Sequence, residues 1–287
     1  MTPLGASLVR GALSSPFKRA GRPDAALPPD RLTRPAAPVE PGPLAAYGGI
    51  CGFAATGPLP LTYPHVRAFP LTLRLMTGRA FPLPVLGLVH TWIEITPHRP
   101  VRPAEPLELA VYAVGLSPHR RGAEVTMATE ARVGGELVWE SRSGYLSRHR
   151  RATPDHAARG RATAARSLAA APAAEGLPVL AEWRLPSDLG RRYGAVSGDR
   201  NPIHLHPATA RLFGFPRAIA HGMWSVARCL AEAGDPEAIR FLRAEFRAPV
   251  LLPATVTYAA DASGSAFELR GPDLRTHLVG SVLRSTG

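Results

Sequence analysis

Asp199 and His204 are the residues of this sequence best suited to proton chemistry, standing at the two ends of the run Asp199-Arg-Asn-Pro-Ile-His204. A carboxylate and an imidazole brought together across a stiff proline segment can share one water molecule and pass protons to and from it. Asn201 between them can only orient, because an amide does not change protonation near neutral pH. Further on, His221-Gly222-Met223 opens a run with helical periodicity. The first N–H groups of a helix lack partners and sit at the positive end of its dipole, and Gly222 lets a ligand approach that backbone closely. Such a terminus can polarise a carbonyl as an oxyanion hole does. Residue types alone also admit plainer roles: Asp199 as an Asx-turn residue at a helix exit, His204 as a turn histidine, Gly222 as a helix-packing glycine, Met223 as core. His206 and His221 add two imidazoles nearby. The Asp-x4-His-x-His pattern matches no common zinc spacing, so neither a metal nor another cofactor is expected.

The elements that must position these groups can be read from the flanking residues. Ser187, after Pro186, is a plausible N-cap, and Leu189, Tyr193 and Val196 share one helical face. Ser197-Gly198 ends that helix. Asn201 precedes a proline and is pushed out of the helical region, which predicts a loop from Asp199 to His204. Pro207 opens a short helix that Gly214 closes. Met223, Val226, Ala227, Leu230 and Ala231 mark the apolar face of a long helix ending at Gly234, expected to be central and buried.

The two halves of the chain resemble each other. Tyr47-Gly-Gly-Ile-Cys-Gly-Phe53 aligns with Tyr193-Gly-Ala-Val-Ser-Gly-Asp199, Tyr63-Pro64 with Phe215-Pro216, and Leu71 with Met223. Strand-like segments come next in both: Val85 to Ile95 against Ile239 to Phe246, then Leu107 to Val114 against Ala254 to Ala260. Helix, loop, long helix and antiparallel strands in each half make an α+β pattern.

Composition excludes other classes. No run of about 18 apolar residues occurs, so no membrane-spanning helix is expected. Two cysteines, Cys51 and Cys229, make no disulfide scaffold. The net charge of +12 invites a nucleic-acid reading, but the positive charge is almost all scattered arginine, Lys18 being the only lysine, and no nucleic-acid motif accompanies it. No continuous apolar stretch comes after Met1, so a cleavable signal peptide is not expected and the location is taken as cytoplasmic.

The string YGAVSGDRNPIH, Tyr193 through His204, with His221-Gly222-Met223 beyond it, resembles the signature of the MaoC-like, (R)-specific enoyl-CoA hydratase family. The resemblance implies the hotdog fold, a curved antiparallel sheet around one long helix, and with two similar halves a tandem double hotdog. It implies reversible, metal-free hydration of trans-2-enoyl thioesters to (3R)-3-hydroxyacyl thioesters. Asp199 and His204 would handle the water and the α-proton, Gly222 would offer its N–H to the thioester carbonyl, and Asn201 and His221 would support them. The first half departs from the pattern: Phe53 stands at the aspartate position, Phe69-Pro70 at the His-Gly position, and the Asn-Pro-x-His segment is missing. Phenylalanine transfers no proton and Pro70 has no N–H to donate. The expected organisation is an extension over 1–40, a degenerate hotdog over 41–148 whose helix around Leu71, Leu75 and Met76 lines an acyl pocket, an Ala/Arg-rich linker over 149–176, and a catalytic hotdog over 177–287. Expected partners are an enoyl-CoA or acyl-carrier-protein thioester, with no nucleic acid, and double hotdogs that assemble as a homo-oligomer. The alternatives are a non-catalytic acyl-thioester-binding or scaffold subunit and a hotdog thioesterase. Intact Asp199, His204 and Gly222 argue against the first, and the aspartate-histidine segment against the second.

Overall fold

Two glycines end two equivalent helices in the same way. In the computed structural model, Gly52 (φ 86°) and Gly198 (φ 78°) both adopt the left-handed conformation, and their N–H groups donate to the carbonyls of Gly48 and Gly194. A β-carbon disfavours that conformation, which is why glycine stands at both exits. The structure describes residues 25–85, 87–148, 176–234 and 236–285. The Ala/Arg-rich stretch read as a linker lies outside them, apart from Gly176.

The first half runs β1 (Leu32–Ala37), α1 (Pro41–Cys51), α2 (Tyr63–Thr77), β2 (Leu88–Pro97), β3 (Leu107–His119), β4 (Gly122–Val133) and β5 (Glu136–Arg148). The second runs β6 (Val179–Leu185), α3 (Leu189–Ser197), α4 (Pro202–Leu205), α5 (Pro207–Arg211), α6 (Gly222–Ala233), β7 (Ile239–Phe246), β8 (Ala254–Ala260), β9 (Ala266–Arg270) and β10 (Thr276–Arg284). Among the described residues, ten strands form one antiparallel sheet in the order β1-β3-β4-β5-β2-β7-β10-β9-β8-β6. The order reads the same from either end once each strand is replaced by its counterpart. Helix α2 packs on β1, β3 and β4, and α6 on β9 and β10. Each half is therefore the sheet-around-helix arrangement of a hotdog, and the chain is a double one.

Three features differ from the sequence-based expectations. Strand β1 falls within the stretch read as an extension, where it pairs with β3. Its motif, Leu-Thr-Arg-Pro-Ala-Ala, is an edge strand that tolerates proline, so composition disguised it. The N-cap of α3 is Asp188 rather than Ser187, and it makes no side-chain cap bond. The segment between Asp199 and His204 is not all loop: after Asn201, held extended at ψ 128°, Pro202–Leu205 forms a single helical turn. Proline is well suited to the first position of that turn.

The halves join through β2 and β7, with Ile93 opposite Ala244 and Ile95 opposite Leu242, all four fully buried. Fully burying an isoleucine or leucine is worth about 1.5–3 kcal/mol. Exposing Ile93, Ile95 and Leu242 together would remove much of an ordinary stability margin of roughly 5–15 kcal/mol. The helices cross the same seam. Tyr47 and Tyr193 pack with ring centroids 6.2 Å apart, and the Trp224 indole N–H donates to the Ile50 carbonyl at 2.9 Å. One hydrophobic core serves both halves.

Candidate active site

Asp199 leaves α3 immediately after the Gly198 cap. Its Oδ1 accepts the Asn201 N–H at 3.1 Å, and its own N–H donates to Ser197 Oγ at 3.2 Å. The Asx-turn geometry and the proton chemistry thus belong to the same side chain. The amide oxygen of Asn201 accepts the Ile203 N–H at 3.4 Å, starting the turn that carries His204. Two glycines outside the motif's reactive positions make this packing feasible. A β-carbon on Gly190 would lie 1.9 Å from the His204 carbonyl oxygen, and one on Gly194 2.8 Å from that of Asp199. Glycine inside a helix costs about 0.5–1 kcal/mol relative to alanine, so a pair one turn apart signals a close backbone approach.

Backbone carbonyls fix both histidine tautomers. His204 Nδ1 donates to the Ile219 carbonyl at 2.8 Å, which leaves Nε2 with a bare lone pair. His221 Nε2 donates to the Asp199 carbonyl at 2.9 Å, tying the aspartate to the start of α6. The two imidazoles stack with centroids 3.6 Å apart and planes 23° from parallel. Both are buried, whereas a quarter of the Asp199 side chain (26%) remains open to the cavity. Burial pushes the His204 pKa down, opposed by the Asp199 charge and the Ile219 carbonyl. Burial pushes the Asp199 carboxyl up, opposed by His204 and the Asn201 N–H. His221 falls well below the ordinary histidine range, through burial and then through His204. The Asp199 and His204 affinities are thereby drawn toward each other, which suits a pair that exchanges protons.

A carboxylate oxygen of Asp199 and a ring nitrogen from each of His204 and His221 lie within 4.8 Å of one another, and these are the described residues that could hold a metal. The stacking opposes it. Zinc sits about 2.0–2.1 Å from an imidazole nitrogen and along its in-plane lone pair. Two nearly parallel rings 3.6 Å apart cannot both aim a lone pair at one ion. The same spacing suits a water molecule bridging the carboxylate and Nε2.

Helix α6 begins at Gly222, and its cap residue His221 makes no side-chain cap bond, leaving the first-turn N–H groups facing the site. A β-carbon on Gly222 would come 2.7 Å from the Phe246 ring. Asp199, Asn201, His204, His221 and Gly222 all line one cavity of about 200 Å³. His206 does not. Its Nδ1 accepts the Ala208 N–H at 3.1 Å and caps α5.

The first half supplies the opposite wall of this cavity through His65, Val66, Phe69, Leu73 and Met76 of α2, with His90 and Tyr145. Of the three lining residues expected on this helix, Met76 is in place. Leu71 and Leu75 sit off the stripe formed by positions 65, 69, 73 and 76 and pack into the core instead. His65, His90, Tyr145 and Phe246 carry no signal in the sequence, because only the fold brings them to the cavity that Gly222 also lines.

Residues 172–270 match the family model described as MaoC like domain. The chain is 37% identical over 245 residues to 3-hydroxyacyl-thioester dehydratase X of Mycobacterium tuberculosis, covering 83% of this chain and 82% of that protein. A 58-residue stretch is 38% identical to the peroxisomal enoyl-CoA hydratase 2 of Arabidopsis thaliana, 18% of each chain. Among solved structures, HtdX of Mycobacterium tuberculosis superposes with a TM-score of 0.74 at 32% identity, covering 89% of this chain and all of that one.

Proposed function

The chain belongs to the MaoC-like dehydratase family, and on that premise we propose that it catalyses the reversible hydration of trans-2-enoyl thioesters to (3R)-3-hydroxyacyl thioesters. The observation that carries this reading is the bare Nε2 of His204 and the Asp199 carboxylate beside the unpaired first-turn N–H groups of α6, all in one cavity. In the hydration direction, the thioester carbonyl accepts the Gly222 N–H, which draws electron density from C3. A water donates its two hydrogens to Asp199 and His204 Nε2 and presents its oxygen lone pair to C3. As the C3–O bond forms, one water proton passes to the pair and the C2=C3 electrons move toward the carbonyl. The pair then returns that proton to C2. Dehydration is the same sequence reversed. Every atom of water ends on the product, and no other reactant is consumed.

Arg148, Arg200 and Arg247 are exposed at the rim of the cavity. Guanidinium groups there suit the phosphates of coenzyme A or of a carrier protein's prosthetic arm. Absorbance of the enoyl-thioester band, with crotonyl-CoA and with a longer trans-2-enoyl-CoA, tests the proposal. Decay of the band to an equilibrium, approached equally from the (3R)-3-hydroxyacyl side, is the expected result. Release of free thiol with either substrate would instead indicate thioester hydrolysis, and no change in the band would remove the hydratase reading.

A further inference from the structure

The first half contributes polar groups to a cavity wall whose remaining task is to receive an acyl chain. His65, His90 and Tyr145 form a stack: His65 to His90 is 5.9 Å at 15°, and His90 to Tyr145 is 4.6 Å at 14°. The His90 ring also meets Phe246 at 4.8 Å, the same ring that lies against Gly222. The stack therefore stands about one aromatic ring beyond the proposed thioester site.

A β-bulge aims His90 into the cavity. The β2–β5 register slips between His90 and Trp92. Below the slip Ile93 and Ile95 face the core; above it Leu88 and His90 do. Strict alternation from Ile93 would have pointed Thr91 inward and His90 outward. Instead Thr91 and Trp92 both reach Glu124 on the other face, at 2.6 and 3.0 Å. Bulges re-aim side chains next to functional sites. The ring presented here is partly buried and not fully satisfied. Its Nε2 is buried without a hydrogen-bond partner. Nε2 is therefore open to a hydrogen bond from or to a group that enters the cavity. A buried polar atom left unpaired is costly, and a hydroxyl on a bound molecule would relieve that cost. Burial also holds His65 down to about 4 and His90 well below the ordinary histidine range, so neither ring favours an anionic chain end.

We propose that His90 and Tyr145 form a subsite for a hydroxyl group on the acyl chain, so that this protein prefers thioesters whose chain is hydroxylated beyond the reacting carbons. His90 Nε2 hydrogen-bonds the hydroxyl, and Tyr145 lies alongside the same group. The assignment rests on the proposed thioester site, which fixes the direction in which the chain runs.

Titration calorimetry on the full chain compares octanoyl-CoA with the 5-, 6-, 7- and 8-hydroxyoctanoyl-CoA isomers. These are saturated and unreactive, so the measurement needs no turnover. One isomer should bind about 3–10-fold tighter than octanoyl-CoA, the range of one neutral hydrogen bond. His90→Phe keeps a ring stacked on Tyr145 and should bring that ratio to about one; Tyr145→Phe should reduce it. The proposal is overturned if no isomer outbinds octanoyl-CoA in the unaltered protein, or if the preference survives in His90→Phe. Hydration of trans-2-octenoyl-CoA by the same preparation reports separately on the catalytic reading, so either can fail alone.

Discussion

The two halves of this chain share one helix-exit design and differ in the residues placed just beyond it. After Gly198 comes Asp199, a proline-started turn and His204; after Gly52 comes Phe53, whose ring stacks on Tyr47 at 6.2 Å. Gly194 and its counterpart Gly48 both remain, but the counterpart of Gly190 is Leu44, which packs against the core. Only the half with a histidine turn lying on its helix keeps the second glycine. The central helices diverge in the same sense. Helix α6 starts at Gly222, whereas α2 starts at Tyr63 and runs on through Phe69-Pro70. An open, donor-rich terminus in one half is a helix interior in the other. The packing residues recur in both halves and the proposed catalytic residues in one, and the other half lines the shared cavity.

The most severe test of this division targets the proton-transfer pair. Asp199→Asn and His204→Ala should each lower turnover by about 10²–10⁴-fold. The double variant should lose far less than the product of the two, because both act on the same water. Near-native rates in both single variants, measured with crotonyl-CoA, would remove the assignment. At the helix starts, Gly222→Ala forces a methyl group against Phe246 and displaces the N–H donor. A loss approaching the roughly 10²–10³-fold typical of an oxyanion donor is expected, against a minor change for Pro70→Ala. Equal losses at the two positions would show that α2 is not catalytically silent.

Smaller effects report on the wall. Leu73→Trp points into the cavity and should depress kcat/KM for a long enoyl-CoA well below its effect on crotonyl-CoA. Leu71→Trp, off the lining stripe, should leave that ratio unchanged even if overpacking costs about 1–3 kcal/mol of stability. A ratio insensitive to Leu73 would confine the first half to a supporting role.

The subtlest contrast is in stability. The Asp199 carboxyl is raised in the folded state, chiefly by burial, so its ionisation opposes folding at neutral pH. That penalty fades as pH falls toward the ordinary carboxylate value of about 3.9, below which the folded and unfolded states are both protonated. Asp199→Asn should therefore raise Tm at pH 7 while lowering turnover, with the gain narrowing as the pH approaches that value. Phe53→Asp at the equivalent position should lower Tm at pH 7 and create no second site, since the histidine turn and the N–H donor are absent there. A Tm gain for Asp199→Asn that does not vary with pH would mean that its charge is not the cause.

The sequence by itself determined the local chemistry. Tyr193 through Gly198 reads as a helix with a glycine exit, governed by residues within a few positions of one another, whereas the turn that Pro202 starts reads as loop from sequence. The repeat, the long helix from Met223 and the losses at Phe53 and Pro70 were legible for the same reason. Strand β1 was not legible, because a short edge strand containing proline has no periodic signature and is stabilised by its pairing with β3 and by the packing of α2. Only the tertiary structure decided the tautomers of His204 and His221, since the carbonyls that fix them come from Ile219 and Asp199. It alone placed His65, His90 and Tyr145 across from Gly222. Their cavity exists because β2 pairs with β7 and a bulge shifts one strand's alternation, and register across a long sequence separation is a property of the assembled sheet rather than of any segment within it.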